Sequence, residues 1–211
     1  MSKELVFYTN PMSRGRIVRW MLEEVGAPYT VEVLEYGGSM KSAGYLAVNP
    51  MGKVPTIRHG GTTVTECAAI CAYLADAFPE AGLAPPTDAR GDYYRWLFFA
   101  AGPLEAAATN HMLGFEATAE QEMSVGYGNL ATVLDALETA VAGGGYVAGE
   151  RFSAADVYVG SHISWGMGTM KTIEARPAFV DYWQRVGGRE AYHRADALDN
   201  ALMPDQPAPD Q

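Results

Sequence analysis

Between residues 1 and 80 the hydrophobic period switches between two and 3.6 in a set order, and few folds accommodate that order. Glu4 to Thr9 is a short apolar strand. Arg14 to Val25 carries Ile17, Val18, Trp20, Met21, Leu22 and Val25 as a helical stripe, closed by Gly26. Tyr29 to Leu34 alternates as a second strand. Val54 to Arg58 and Thr62 to Val64 read as a hairpin turning at His59-Gly60-Gly61, and a helix from Glu66 to Phe78 is stopped by Pro79. The order is β-α-β, a connection, then β-β-α, which is thioredoxin-like and not that of a doubly wound nucleotide fold.

Strand signals then nearly vanish. Ala81 to Asp88 is rich in Gly, Pro and small residues, stiffened by Pro85-Pro86, and reads as a linker. Helical periodicity follows over Ala89 to Gly102, Pro103 to Leu113, Ala119 to Ala142, Ser153 to Met167 and Pro177 to Val186. The expected class is α/β plus all-α: a thioredoxin-like domain over 1–80, a linker over 81–88, a helical-bundle domain over 89–203 and a polar, Pro-rich, frayed tail over 204–211.

With 48% apolar residues in 211, the chain can bury a core, and its formal charge of -10 would repel a phosphate backbone. Arg14, Arg16 and Arg19 form the only local basic cluster, with no polybasic patch for a membrane surface. No signal-peptide hydrophobic core and no apolar run of about 18 residues is present, so neither nucleic acid nor membrane is expected as a partner and the expected location is cytoplasmic. Cys67 and Cys71, four residues apart, share a helix face; without a nearby His or further Cys they read as small buried residues, and no metal is expected.

Three segments carry chemistry. The first is Tyr8-Thr9-Asn10-Pro11-Met12-Ser13-Arg14-Gly15-Arg16, entering a helix. The second is Asn49-Pro50-Met51-Gly52-Lys53-Val54-Pro55-Thr56-Ile57. The third is Val64-Thr65-Glu66-Cys67-Ala68-Ala69-Ile70. In this order and at these separations they resemble the cytosolic glutathione S-transferases, and the spacing of Ser13 to Trp20 and Glu23-Glu24 resembles bacterial Ser-type members. The resemblance extends over nearly the whole chain.

The resemblance implies a site for glutathione. Ser13, just before the helix, would donate its hydroxyl to the glutathione sulfur, with Tyr8 as the alternative donor. A free thiol has a pKa of about 8.5, and each unit of lowering needs about 1.4 kcal/mol of preference for the anion. A hydroxyl donor and the positive end of a helix supply that preference. Capping the first helical turn is the plainer role for Ser13, and a core or wall position the plainer role for Tyr8.

The resemblance also implies a cis bond before Pro55, with the Val54 N–H and C=O pairing with the cysteinyl backbone of glutathione. Without it, Pro55 would simply start an edge strand, and Lys53 would be either solvated or in contact with a glutathione carboxylate. Glu66 would take the γ-glutamyl ammonium, or else only favour a helix N-terminus. Cys67 replaces the Ser that the family uses for the γ-glutamyl carboxylate, leaving chiefly its backbone N–H for that contact. Met12, Met112, Phe115 and Trp165 are candidates for the pocket of a small hydrophobic electrophile, each otherwise plain core.

Gly149-Glu150-Arg151-Phe152-Ser153-Ala154-Ala155-Asp156 resembles the family's capping box, with Ser153 and Asp156 structural. A homodimer is implied, with the helix around Asp92 to Gly102 at its interface; the run Tyr93, Tyr94, Trp96, Phe98 and Phe99 suits that or a buried core. Three activities stay open: conjugation of the thiolate to an electrophile, glutathione-dependent disulfide reduction or isomerisation, and a binding or regulatory role without catalysis.

Overall fold

The structure, a computed structural model, describes residues 4–203, so the tail expected over 204–211 lies outside the described residues. Four strands form one sheet in the order β2-β1-β3-β4, where β1 is Leu5–Thr9, β2 Thr30–Val33, β3 Thr56–His59 and β4 Thr62–Thr65. β1 and β2 run parallel around α1 (Gly15–Val25), while β1–β3 and β3–β4 are antiparallel. This is the thioredoxin-like arrangement expected from the order of periods.

Alternation along β1 decides what each face does. Leu5, Phe7 and Thr9 are buried, and Phe7 sits in register with Ile57 beneath α1 and α3 (Cys67–Ala77). Tyr8 turns to the other face, where Leu34, Met40 and Tyr45 form a small cluster with Tyr8, Val48 and Val54 against it. Tyr45 belongs to a single helical turn, α2 (Ala43–Leu46), capped by the Ser42 side chain. α1 buries its stripe from Ile17 to Leu22 and stops where Gly26, at φ 70°, returns its N–H to Leu22 O.

The second half is helical: α4 (Gly91–Phe99), α5 (Glu105–Met112), α6 (Leu130–Val141), α7 (Ala154–Met167), α8 (Pro177–Gly187) and α9 (Glu190–Asn200). Two expectations are corrected. The helix expected over Ala119 to Ala142 begins only at Leu130, because Gly126 and Gly128, the latter at φ 66°, break the chain before Asn129 caps Thr132 N. No break separates Gly102 from Pro103 either. A π-helical turn over Ala100–Leu104 joins α4 to α5 and absorbs the proline, which has no N–H to give to the α-helical ladder.

One core runs through both halves. Trp20 of α1 stands edge-on to Trp183 and Tyr192, at 6.2 and 5.1 Å between ring centroids, and packs on Phe152. Gly160 lets α7 approach: a Cβ there would lie 2.8 Å from Val186 Cγ2. Ser153 and Asp156 form the expected capping box at the start of α7. Asp156 does more than cap. Fully buried, its carboxylate accepts from Ser153 N and Oγ, Val147 N and Tyr182 OH at 2.9, 3.0, 2.8 and 2.7 Å. Among the described residues, no helix is long and apolar enough to cross a membrane.

Candidate active site

The loop between β1 and α1 is organised by Asn10. Its side chain donates to Leu34 O at 2.8 Å and accepts from Met12 N at 2.9 Å, while its carbonyl accepts both the N–H and the hydroxyl of Ser13, at 3.0 and 2.7 Å. The Ser13 oxygen in turn accepts from Gly15 N at 2.9 Å. Ser13 therefore satisfies one donor of the first turn of α1, where positive helix-end charge collects, and its own proton is shared with Asn10. Gly15 is required here, since a Cβ would collide with Thr9 Oγ1 and lie 2.9 Å from Ser13 Oγ. Tyr8 is half-buried on the neighbouring face, its ring 5.5 Å from that of Tyr45, close to Val54.

The second segment is held from beneath. Tyr45 OH donates to Lys53 O at 2.6 Å and meets Thr56 Oγ1 at 2.9 Å; Asn49 Nδ2 reaches the same two atoms at 2.8 and 3.1 Å. Burial pushes the Tyr45 phenol above its ordinary pKa, so it stays a donor. Lys41 Nζ binds Gly52 O at 2.7 Å and Met51 O at 3.3 Å. The Val54–Pro55 bond is cis, and the Val54 N–H and C=O make no hydrogen bond with a described residue. Lys53 itself is exposed.

At the third segment Glu66 precedes α3 with φ 64° and ψ 118°, a backbone conformation that costs a non-glycine residue about 1–3 kcal/mol. Its side chain is exposed at the end of the helix that carries the free N–H groups. Cys67 turns the other way. Its thiol is buried 3.7 Å from Arg14 O, and burial, then the neighbouring Cys71, pushes its pKa well up. The side chain thus fastens α3 to the start of α1, while the backbone N–H of Cys67 lies in the first turn of α3, where helix N–H groups have no partner within the helix and suit an anion. Both cysteines are free, and no cluster of possible metal ligands occurs among the described residues.

A polar seam joins this region to the helical half. Arg14 pairs with Glu105 Oε1 at 2.9 Å, and Glu105 Oε2 meets His162 Nε2 at 3.2 Å and Tyr158 OH at 3.3 Å. Burial alone would raise the Glu105 carboxyl, but His162 and Arg14 outweigh it and hold it below the usual range. Met12, in the loop, is 65% exposed; Met112, the last residue of α5, and Phe115, just past it, are 46% and 45% exposed. Trp165 lines a crevice of about 50 Å³ with Arg16, Trp20, Trp183 and Tyr192. A wider depression of about 800 Å³ involves Leu5, Pro28, Tyr29 and His59, at the end of β1 away from Ser13.

The sequence assigns no individual role to Asn10, Lys41, Tyr45, Asn49 or Glu105, and it shows Arg14 only as part of a basic cluster. Tyr45 and Asn49, four residues apart, share a face in sequence, but that spacing says nothing of the carbonyl they converge on.

Comparison with known proteins bears on most of the chain. The family models "Glutathione S-transferase, N-terminal domain" and "Glutathione S-transferase, C-terminal domain" match residues 12–77 and 105–184. The glutathione S-transferase GstA of Escherichia coli O157:H7 is 30% identical over 148 residues, covering 69% of this chain and 73% of that protein. The disulfide-bond oxidoreductase YghU of Escherichia coli K12 is 28% identical over 172 residues, 74% of this chain and 58% of that one. Among solved structures, a sphingomonad glutathione S-transferase complexed with glutathione is similar with a TM-score of 0.74 and 28% identity, over 92% of this chain and 98% of the other.

Proposed function

Because the chain belongs to the glutathione S-transferase family, we propose that it binds glutathione across Ser13, Lys53, Val54, Pro55, Glu66 and Cys67 and transfers its thiolate to a small hydrophobic electrophile. The observation that carries this reading is the placement of Ser13: a hydroxyl at the N-terminus of α1, in a loop braced by Asn10, next to a segment whose Val54 backbone groups are unpaired. Val54 would pair with the cysteinyl backbone of glutathione as an added strand does. Glu66 would accept the γ-glutamyl ammonium, and the Cys67 N–H its carboxylate. Lys53, exposed beside them, would meet a second carboxylate of the tripeptide.

In the reaction the thiol proton passes to solvent on binding, and Ser13 donates to the sulfur anion so formed. The sulfur lone pair then makes the C–S bond while the leaving group departs with its bonding pair. Ser13 acts as donor and not as nucleophile, since among the described residues neither His nor Lys hydrogen-bonds its hydroxyl. Tyr8 is the alternative donor. Met12, Met112 and Phe115 are proposed walls for the electrophile. A homodimer accompanies this reading: α4 presents Phe98, 71% exposed, and Tyr94, 43% exposed, as an apolar face for a second copy.

The likeness to a disulfide-bond oxidoreductase favours a second reading, in which the same thiolate attacks a disulfide. Retention on glutathione-agarose, followed by conjugation to a chlorinated nitroaromatic and by reduction of a low-molecular-weight disulfide, separates them. Conjugation with release of chloride is the expected result. Disulfide reduction alone selects the second reading, binding without either turnover selects a binding protein, and no retention refutes the glutathione site.

A further inference from the structure

Arg16 lies just inside α1, and each nitrogen of its guanidinium is engaged. Nε donates to Pro11 O at 2.6 Å, Nη1 to Asp196 Oδ1 at 3.0 Å and Nη2 to Asn200 Oδ1 at 2.8 Å. Asn200 Nδ2 donates to Asp196 Oδ2 at 2.9 Å, so the two α9 side chains hold each other in place to receive the fork. Pro11 belongs to the loop that carries Ser13, two residues on. The carbonyl of that loop is thereby tied to a helix 180 residues away in sequence.

The tie falls where a small shift matters. Asn10 O, the acceptor of the Ser13 proton, is in the peptide unit that leads into Pro11. A thiolate can receive that proton only in competition with Asn10 O, and the outcome depends on where the backbone from Asn10 to Met12 is held. Asn10 Nδ2 fixes it from the Leu34 side, and Arg16 from the α9 side. Other links between α9 and α1 do not touch the loop: Arg19 pairs with Asp199 and Arg194 with Glu23, helix to helix.

We infer that Arg16, clamped by Asp196 and Asn200, is a positioning residue for the thiolate loop, which makes α9 part of the active-site machinery. The inference rests on the reading of Ser13 as donor to the glutathione sulfur. It predicts that loosening the clamp from the α9 end disturbs thiol ionisation at a site that α9 itself does not form.

The test is the pH midpoint of bound-glutathione ionisation, read from thiolate ultraviolet absorbance, in Arg16→Lys, Asp196→Ala, Asn200→Ala, Arg194→Gln and Ser13→Ala. A charge effect and a positioning effect have opposite signs at Asp196. Removing a nearby negative charge would favour the thiolate and lower the midpoint, whereas releasing Arg16 should raise it. The expected result is a lower thiolate fraction at neutral pH, by about threefold, in Arg16→Lys, Asp196→Ala and Asn200→Ala, with no change in Arg194→Gln. Arg16→Lys combined with Asp196→Ala should shift it no further than either alone.

A midpoint that is unchanged or lowered in Asp196→Ala, shifts that add in the double variant, or an equal rise in Arg194→Gln overturns the inference. If Asp196→Ala fails to fold, Asn200→Ala decides by the same criterion. A rise in Ser13→Ala without one in the clamp variants sinks this inference alone. No rise in Ser13→Ala removes the donor reading and the inference with it.

Discussion

Replacing Asp156 by Asn tests whether this buried carboxylate is a burden or a brace. Two donors, Val147 N and Tyr182 OH, converge on Oδ1, and two, Ser153 N and Oγ, on Oδ2. An amide keeps one oxygen, so whichever way it is turned, its NH2 faces two donors. Each stranded donor costs about 1–3 kcal/mol, and the Ser153 hydroxyl can escape by rotation. Against this, the variant no longer buries an anion, a cost registered by burial pushing the Asp156 carboxyl above its ordinary pKa in spite of its four hydrogen bonds. We expect the stranded donors to dominate, with a net loss of about 2–3 kcal/mol and a fall in Tm of about 5–10 °C for a chain of this size.

The pH dependence follows from the same shift. A carboxyl whose folded pKa is raised contributes stability that is present in full below its unfolded pKa and is lost as pH rises through the folded value. The advantage of wild type over Asp156→Asn should therefore be largest in acid and shrink as pH climbs past the ordinary Asp range. Urea denaturation followed by tryptophan fluorescence, at matched protein concentration and several pH values, measures both. Asp156→Asn as stable as wild type at neutral pH would refute the reasoning, because charge burial would then outweigh hydrogen-bond satisfaction.

Ser13→Ala should raise the ionisation midpoint of bound glutathione by about one unit, the loss of a hydrogen bond to an anion, and lower conjugation accordingly; an unmoved midpoint transfers the role to Tyr8 or the backbone. Gly15→Ala should push Thr9 and Ser13 apart and cut kcat/KM by at least about tenfold with the fold retained, checked by steady-state kinetics beside circular dichroism. Tyr45→Phe removes one of two supports under Lys53 O and Thr56 Oγ1, so KM for glutathione should rise about fivefold while kcat holds, because Asn49 still bridges the same atoms. A fall in kcat with unchanged KM would show that the segment under Val54 acts on the reaction step and not on binding.

The thioredoxin-like half was legible because its signals are local. The apolar run in Glu4 to Thr9, the stripe from Ile17 to Leu22 and the turn at His59-Gly60-Gly61 each arise within a few residues, and the structure reproduces their order. The helix expected from Ala119 misled for a matching reason: apolar residues occur at Met123 and Val125, but only a 3-10 turn forms over Gln121–Met123, Gly126 and Gly128 follow, and the α-helix starts after Asn129. At Cys67 the residue type was visible and its direction was not. The thiol points to Arg14 O, on an element 53 residues earlier.

What the sequence determined by itself was the succession of elements, the loop ending in Ser13 at the mouth of a helix, and the resemblance that attaches glutathione to these positions. Only the tertiary structure decided what holds that loop. Arg14, Arg16 and Arg19 read as a bare basic cluster, yet each meets an acid of the helical half: Glu105, Asp196 and Asp199. Periodicity records which face of an element is apolar, since that repeats every two or 3.6 residues. A hydrogen bond across 180 residues leaves no such repeat, and its partners are chosen only when the two helices pack.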